Sequence, residues 1–183
     1  MLPWGHAAVG YLCYTVATRH RYRRPPTGPA VLALAAGTQL PDLIDKPLAW
    51  TFGLLPSGRS LGHSLLIAGA IGVIAWRFAQ RYDHRSEASA FLLGHLTHIV
   101  ADVAPAIIAR DWEPLGALLW PLTPAYRYPG EMERTVLSFF LELRLAELPP
   151  VESVLTVLAL GAWVYDGRPG VATIAALVAR SRS

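Results

Sequence analysis

The stretch that decides the fold is ASAFLLGHLTHIVADVAPAIIA, which runs from Ala88 to Ala109 and carries a single formal charge, at Asp102. Crossing about 30 Å of hydrocarbon takes roughly 20 residues of α-helix, and this stretch is long enough. A second stretch, Leu61 to Ala79, is nearly as long and carries only Arg77. Both stretches predict membrane-spanning helices.

The composition of the whole chain favours the same interpretation. Of 183 residues, 53% are hydrophobic and 16% are charged, whereas about a quarter of the residues in a typical soluble domain are charged. These values argue against an ordinary cytosolic enzyme, a disordered protein and a disulfide scaffold, and Cys13 is the only cysteine. The net charge of +3 is too small to indicate nucleic acid as a partner. We therefore expect the arginines to contact anionic headgroups of the lipid bilayer.

Three shorter apolar segments predict further helices. Pro3 to Thr18 and Gly28 to Leu40 lie at or below the length of a span, and Val151 to Tyr165 is apolar enough for a last span. Pro41 is expected to end the second helix, because a proline disfavours the helical conformation in the residue before it. The placement of Val171 to Ala179 stays open.

The segment from Glu133 to Leu148 predicts an amphipathic helix on the membrane surface. It mixes apolar and charged side chains, and the loop before it is rich in Pro, Trp and Tyr, as is typical of a membrane interface. The fold prediction is a single all-α integral-membrane domain, residues 1–183, built as a polytopic helical bundle of four to five spans with an interfacial amphipathic helix. Residues 1–124 carry the polar motifs, and residues 131–183 carry the amphipathic helix and the last span.

The positions of the arginines predict the topology. Four arginines follow the first helix, at positions 19, 21, 23 and 24, and Arg81 and Arg85 lie between the two long apolar stretches. Positive charge marks cytoplasmic loops. We therefore expect a multi-pass protein of the inner membrane with an extracytoplasmic N-terminus.

The longest apolar stretch contains three polar residues, His95, His98 and Asp102, at a spacing that places them on one helical face. An ionisable group at the centre of a span costs at least about 2.5 to 3.5 kcal/mol, so each one indicates a function. The alternative is a buried histidine bonded to the neighbouring carboxylate, which would hold two helices together.

Other polar residues come to the same side of the membrane under this topology. His6 lies at the start of the first helix, Asp42 and Asp45 follow the second, and His63 opens the third. Imidazole and carboxylate donors without a thiolate are the ligand set of zinc and other first-row divalent metals. The residues therefore predict a divalent metal site, with zinc as the first choice, at the outer ends of the helices.

Five short motifs follow one another along the first two thirds of the chain: Gly5-His6, Leu40-Pro41-Asp42-Leu43-Ile44-Asp45, Gly62-His63-Ser64-Leu65, Gly94-His95-Leu96-Thr97-His98-Ile99-Val100-Ala101-Asp102 and Pro121-Leu122-Thr123-Pro124. In order and spacing this set resembles the bacterial and archaeal membrane-bound metal-dependent hydrolases, also described as LexA-binding, inner-membrane-associated hydrolases. The resemblance covers roughly residues 1–124. It implies a membrane topology and a hydrolase activity.

More distantly, the order His, Asp, His, His-x-x-x-Asp is similar to the zinc-dependent phospholipase C and single-strand nuclease superfamily, whose all-helical members hold three metals. This resemblance implies that one metal is held by four residues: Asp42, His63, His98 and Asp102. It also implies that His6 and a shared Asp102 hold a second metal, and Asp45 is expected to replace or assist Asp42. The third site of that superfamily needs a further histidine, and no histidine follows His98 in this chain.

The predicted activity is hydrolysis of a phosphoester in a lipid or lipid-linked substrate by metal-activated water at the extracytoplasmic face. Asp42 or Asp45 is the candidate catalytic base, and Lys46 and Arg59 are candidate contacts for phosphate. The alternative is a non-enzymatic multi-pass membrane protein in which the same cluster is a structural metal site, a polar helix clamp or part of an ion path. Ser64 is expected to cap a helix, since nothing in the sequence arranges a catalytic triad around it.

Overall fold

The computed structural model describes residues 1–142 and 149–181, and this part of the chain is all-helical, without a strand. Seven α-helices follow one another: α1 (Pro3–Tyr22), α2 (Gly28–Lys46), α3 (Leu65–Tyr82), α4 (Arg85–Ala109), α5 (Val136–Leu141), α6 (Pro150–Tyr165) and α7 (Val171–Arg180). The predicted all-α class is confirmed. Of the described helices, α4 is the one that is long and apolar enough to cross a membrane by length and composition.

The helices α2 and α4 form the centre of the molecule because two glycines let them approach closely. A Cβ atom on Gly37 would collide with the carbonyl oxygen of Phe91, and one on Gly94 would collide with that of Leu34. Small residues at helix interfaces are typical of membrane bundles, where they allow backbones to touch. This close approach brings the last turns of α2 against the histidine-bearing face of α4.

Helix α1 lies against α6, and both helices run in the same direction. At their beginning, the Leu2 amide donates a 3.0 Å hydrogen bond to Glu152 Oε2. At their end, Arg19 Nε donates a 3.0 Å bond to Asp166 Oδ1. Polar contacts at both ends therefore fix the register of α1 along α6.

The prediction that Pro41 ends the second helix is wrong, since α2 continues to Lys46 and then into a π-helical turn at Pro47–Thr51. Proline removes one backbone hydrogen bond from a helix interior. The residues after it compensate, because Lys46 bonds Asp42 across one helical turn and Asp45 is fully buried in tertiary contacts. As a consequence, both aspartates lie on one helix.

Helix α3 begins at Leu65, so the first four residues of the predicted span form the turn before the helix. Ser64 is the N-cap, and its hydroxyl accepts a 3.2 Å hydrogen bond from the Leu66 amide. This confirms the predicted capping role. His63 therefore lies in a tight turn just before α3.

The predicted amphipathic helix from Glu133 to Leu148 corresponds to a shorter element. The chain makes a 3₁₀ turn at Glu131–Glu133, and α5 then covers Val136–Leu141. Residues 143–148 of the prediction lie outside the described part of the chain. Past them, α6 occupies the predicted last span, and α7 accounts for the apolar tail whose placement was open.

Candidate metal centre

Four buried side chains from three parts of the chain meet at one point: Asp42, His63, His98 and Asp102. Helix α2 supplies the first, the turn before α3 supplies the second, and α4 supplies the other two. One donor atom of each lies within 4.8 Å of the donor atoms of the others. A metal ion could therefore be bound by this group.

The separations between these donor atoms match the size of a metal coordination shell. His63 Nε2 lies 3.1 Å from His98 Nε2 and 3.3 Å from Asp102 Oδ2. Asp42 Oδ1 lies 3.7 Å from His98 Nε2 and 3.8 Å from His63 Nε2. Zinc–nitrogen and zinc–oxygen bonds of about 2.0 to 2.1 Å in a tetrahedron put neighbouring donors about 3.3 to 3.4 Å apart. The donor types also fit, since imidazole with carboxylate suits first-row divalent metals.

The backbone and a third aspartate determine which ring nitrogens face the centre. His98 Nδ1 lies 2.7 Å from the Thr38 carbonyl oxygen, and His63 Nδ1 lies 2.8 Å from Asp45 Oδ2. Both of these partners can only accept a hydrogen bond, so both Nδ1 atoms carry the proton. In the neutral rings, the two Nε2 lone pairs therefore point at each other across 3.1 Å. A proton or a cation between them is needed to remove that repulsion.

Asp45 is the residue that orients His63. Besides the imidazole, its carboxylate accepts bonds from the backbone amides of Ser60, at 2.8 Å, and Gly62, at 2.7 Å. Partners of this kind behind a ligating histidine fix its tautomer and its orientation. The structure thus places Asp45 on the Nδ1 side of His63, away from the point where the four donors meet.

Basic side chains lie around the carboxylates of the cluster. Arg59 Nε donates a 2.7 Å bond to Asp102 Oδ2, and Lys46 Nζ lies 2.5 Å from Asp42 Oδ2. The Met1 amine also donates to Asp102, at 2.8 Å. Burial alone lowers the pKa of the Arg59 guanidinium, but the charge of Asp102 outweighs burial and raises it. The guanidinium therefore stays charged.

Burial likewise lowers the pKa of the His63 imidazole, while its bonds to Asp102 and Asp45 act in the opposite direction and raise it overall. A proton and a metal ion compete for the same position between the two imidazoles.

His6 lies directly beside the four donors, as the resemblance implied for a second metal. Its ring stacks on His98 with 3.6 Å between centroids, and its Nε2 lies 3.3 Å from Asp102 Oδ1. Among the described residues, neither nitrogen of His6 finds a hydrogen-bond partner of good geometry, and the same holds for Asp42 Oδ1. Buried polar atoms without protein partners are rare and call for an explanation such as a bound ion or water.

The remaining histidines lie outside the cluster. His95 shares a helical face with His98, but its Nε2 makes a 2.9 Å contact with the Gly62 carbonyl oxygen instead. His84 is exposed at the far end of α4. The contribution of the Thr38 carbonyl to orienting His98 could not be read from the sequence, because any residue presents a carbonyl.

A buried glutamate holds the loop that carries Arg59. Glu131 accepts hydrogen bonds from the Gly58 amide, at 2.6 Å, and from the Tyr128 amide and the Ser57 hydroxyl, both at 3.1 Å. The Trp50 indole also donates to it, at 3.1 Å. The sequence did not single out Glu131, since a glutamate in a polar loop has no distinguishing pattern.

A family model described as YdjM inner membrane protein matches residues 1–179. No curated protein and no solved structure matches the chain.

Proposed function

The chain belongs to the YdjM inner membrane protein family, and we propose that it is a membrane-bound metal-dependent hydrolase. Its substrate is a phosphoester of a lipid or lipid-linked compound, and its metal is a divalent ion, zinc first. The family name indicates an inner membrane protein. The hydrolase activity is inferred from the chemistry of the cluster.

The observation that carries the proposal is the pair of imidazoles whose Nε2 atoms face each other at 3.1 Å. Both rings are held in this tautomer from behind, His98 by the Thr38 carbonyl and His63 by Asp45. Such second-sphere support is characteristic of histidines that ligate metals. Two carboxylates complete the donor set, and His6 adds a further nitrogen beside Asp102.

The chemistry that a divalent ion supplies in such a site is a lowered pKa of water and a polarised phosphoryl oxygen. Hydrolysis of a phosphoester forms a bond from the water oxygen to phosphorus, breaks the ester P–O bond and transfers a proton to the leaving alcohol. Asp42 is the base that we assign, because its carboxylate is part of the cluster whereas that of Asp45 lies behind His63. Asp45 is assigned the positioning of His63, since its oxygens are already engaged by backbone amides.

We further propose four to five membrane spans, with the cluster at the extracytoplasmic side and the arginine-rich loops in the cytoplasm. Supporting this, α3 and α6 expose large apolar side chains to the outside, such as Ile74 and Val157, at 70% and 68% exposure. In water such surfaces would be costly, whereas lipid covers them.

A second function is a structural polar clamp between α2 and α4, without catalysis. The observation that favours it is charge compensation within the protein, because Arg59 pairs with Asp102 and Lys46 pairs with Asp42. In that case a proton on His63 would fill the position between the imidazoles. Metal analysis separates the two functions.

The experiment is metal analysis of the detergent-purified chain by plasma mass spectrometry, together with hydrolysis of phospholipid and lipid-pyrophosphate micelles. We expect about one divalent ion per chain and zinc-dependent release of a phosphorylated or dephosphorylated product. The His98→Ala variant should lose both properties, and the His84→Ala variant, at the exposed residue just before the same helix, should keep both.

Absence of metal in protein prepared without chelator would contradict the proposal and favour the clamp. Stoichiometric metal without turnover on any substrate of the panel would leave a structural metal site as the function.

A further inference from the structure

Two cavities lie beside the metal-ligand cluster and share a wall. One, here called the basic cavity, has a volume of about 240 Å³ and is bounded by Arg59, Arg134 and Tyr128. The other, here called the apolar cleft, has a volume of about 190 Å³ and is bounded by Asp42 and Phe140. Three side chains border both spaces: Lys46, Trp50 and Phe139.

The basic cavity carries net positive charge. Three cationic side chains line it: Lys46, Arg59 and Arg134. Glu131 also lines it, but donors from the surrounding loops surround both of its oxygens. The Arg59 guanidinium lies 4.6 Å from the Tyr128 ring centroid and uses Nε for Asp102. Since a guanidinium has five N–H donors, most of its donor capacity is directed elsewhere than at Asp102.

Lys46 stands where the two spaces and the cluster meet. It is the only lysine of the chain, and its Nζ lies 2.5 Å from Asp42 Oδ2. The same ammonium lies 5.4 Å from the Trp50 ring centroid and 5.3 Å from that of Phe139. An ammonium has three donors, so a bond to Asp42 leaves capacity for a second anion.

The apolar cleft offers hydrocarbon contacts on the other side of the Trp50–Phe139 pair. Leu43 of α2 and Val136, Phe139 and Phe140 of α5 are among the residues that line it. Its volume is comparable with that of an apolar cavity of about 150 Å³ that takes up benzene. It therefore accommodates a short stretch of one hydrocarbon chain.

We propose that the basic cavity and the apolar cleft together bind one anionic amphiphile, with its phosphate on Lys46 and Arg59 and its hydrocarbon against Phe139 and Phe140. The inference rests on the proposed function, since it names the binding site for that substrate. Both spaces are smaller than the roughly 300 to 1,000 Å³ of a pocket that encloses a drug-sized ligand. They hold the headgroup phosphate and the first part of the chain, and the rest of the lipid extends into the bilayer.

The test uses the single lysine as a probe of occupancy. Full-length protein in detergent and chelator is treated with limiting acetic anhydride, and acetylation of Lys46 is measured by peptide mass spectrometry. The probes are dihexanoyl phosphatidic acid, inorganic phosphate and uncharged dihexanoylglycerol. At ten times its dissociation constant, phosphatidic acid should slow acetylation about tenfold, and dihexanoylglycerol should not slow it.

Variants separate the two parts of the site. Arg59→Met should weaken the binding of phosphatidic acid about tenfold, because it removes a charged hydrogen-bond donor. Arg59→Lys should restore part of the lost affinity. Phe139→Ala should weaken the binding of phosphatidic acid and leave the affinity for inorganic phosphate unchanged. Arg127→Met is the control, since Arg127 is exposed next to Tyr128 and lines neither space. It should bind like the original chain.

If inorganic phosphate and phosphatidic acid protected Lys46 from acetylation equally, the role of the apolar cleft would be overturned. If neither protected it, the whole inference would be overturned. Because chelator prevents turnover, the result is independent of the hydrolase activity. Protection without hydrolysis in zinc would contradict only the proposed function, and hydrolysis without protection would contradict only this binding site.

Discussion

Two buried carboxylates lie near opposite ends of α1, and their surroundings differ. Near the end of α1, Asp166 accepts bonds from the Tyr11 hydroxyl, at 2.8 Å, the Thr15 hydroxyl, at 2.6 Å, and Arg19. Near its beginning, Asp102 lies in a group whose members are incompletely paired. Within residues 1–142 and 149–181, the nitrogens of His6 find no hydrogen bond of good geometry.

The difference distinguishes a clamp from a binding site. Burial alone raises the pKa of Asp166, but the hydrogen bonds from Thr15 and Arg19 outweigh it and lower the pKa. The protein therefore supplies everything that this carboxylate needs. The cluster around Asp102 instead directs two imidazole lone pairs and an unbonded carboxylate oxygen at one point, so it needs something that the protein does not supply.

The largest expected effect is on metal content. Asp102→Asn replaces an anionic ligand by a neutral one and should reduce bound metal from about one ion per chain to below about one tenth, because even second-sphere changes cost 10-fold to 100-fold in affinity. Asp166→Asn, the same change in the fully hydrogen-bonded cluster around Asp166, should leave metal content unchanged. Plasma mass spectrometry of both purified variants measures the effect. If Asp102→Asn kept its metal, the cluster around Asp102 would not be the metal site that distinguishes it from the cluster around Asp166.

The second effect is on stability, and here the change at Asp166 matters for stability and not for metal content. Asp166→Leu leaves the buried hydroxyls of Tyr11 and Thr15 without their acceptor, and each such group costs about 1 to 3 kcal/mol. At about 2 to 4 °C per kcal/mol for a chain of this size, the Tm should fall by several degrees. Thermal unfolding in detergent measures the shift, with metal content as the parallel readout. An unchanged Tm would show that the Asp166 cluster is not a clamp.

The contrast also explains which parts of the site could be predicted from sequence. His98 and Asp102 were identified because ionisable residues inside a long apolar stretch are costly. Asp42 was identified with them although Pro41 does not end its helix, because the side of the bundle predicted for it depends only on the direction of α2. The Asp166 cluster was not predicted, since an aspartate just after an apolar helix is common at membrane boundaries.

The fold was predictable to a similar degree. Apolar length located the four helices of the motif-bearing part, while helix ends depended on tertiary contacts that a single sequence does not display. Asp45 lies in the extension of α2 past Pro41, and its partners are backbone amides of a distant loop. Arg59 and Asp102, which pair with each other, are 43 residues apart in the chain. No local sequence pattern predicts this pairing.

An intermediate effect is expected from the residue behind His63. Asp45→Asn keeps the shape of the side chain but weakens its support of the Nδ1 proton, so metal affinity should fall about 10-fold to 100-fold while the site remains intact. Competition with a coloured chelator measures the affinity, and Asp166→Asn serves again as the control. An affinity equal to that of the original chain would remove the orienting role from Asp45.

The smallest effect is expected at Glu131, which resembles Asp166 in being surrounded by donors although it lies near the metal cluster. In Glu131→Gln one side-chain oxygen becomes an NH₂ group, so the donors on that side lose an acceptor. The cost should be about 1 kcal/mol and the Tm should fall by about 2 to 4 °C, with metal content unchanged. Thermal unfolding and metal analysis of one preparation measure both. Loss of metal in this variant would mean that the loop carrying Arg59 is part of the metal centre. Glu131 would then belong with the metal-binding cluster around Asp102 and not with clamps such as Asp166.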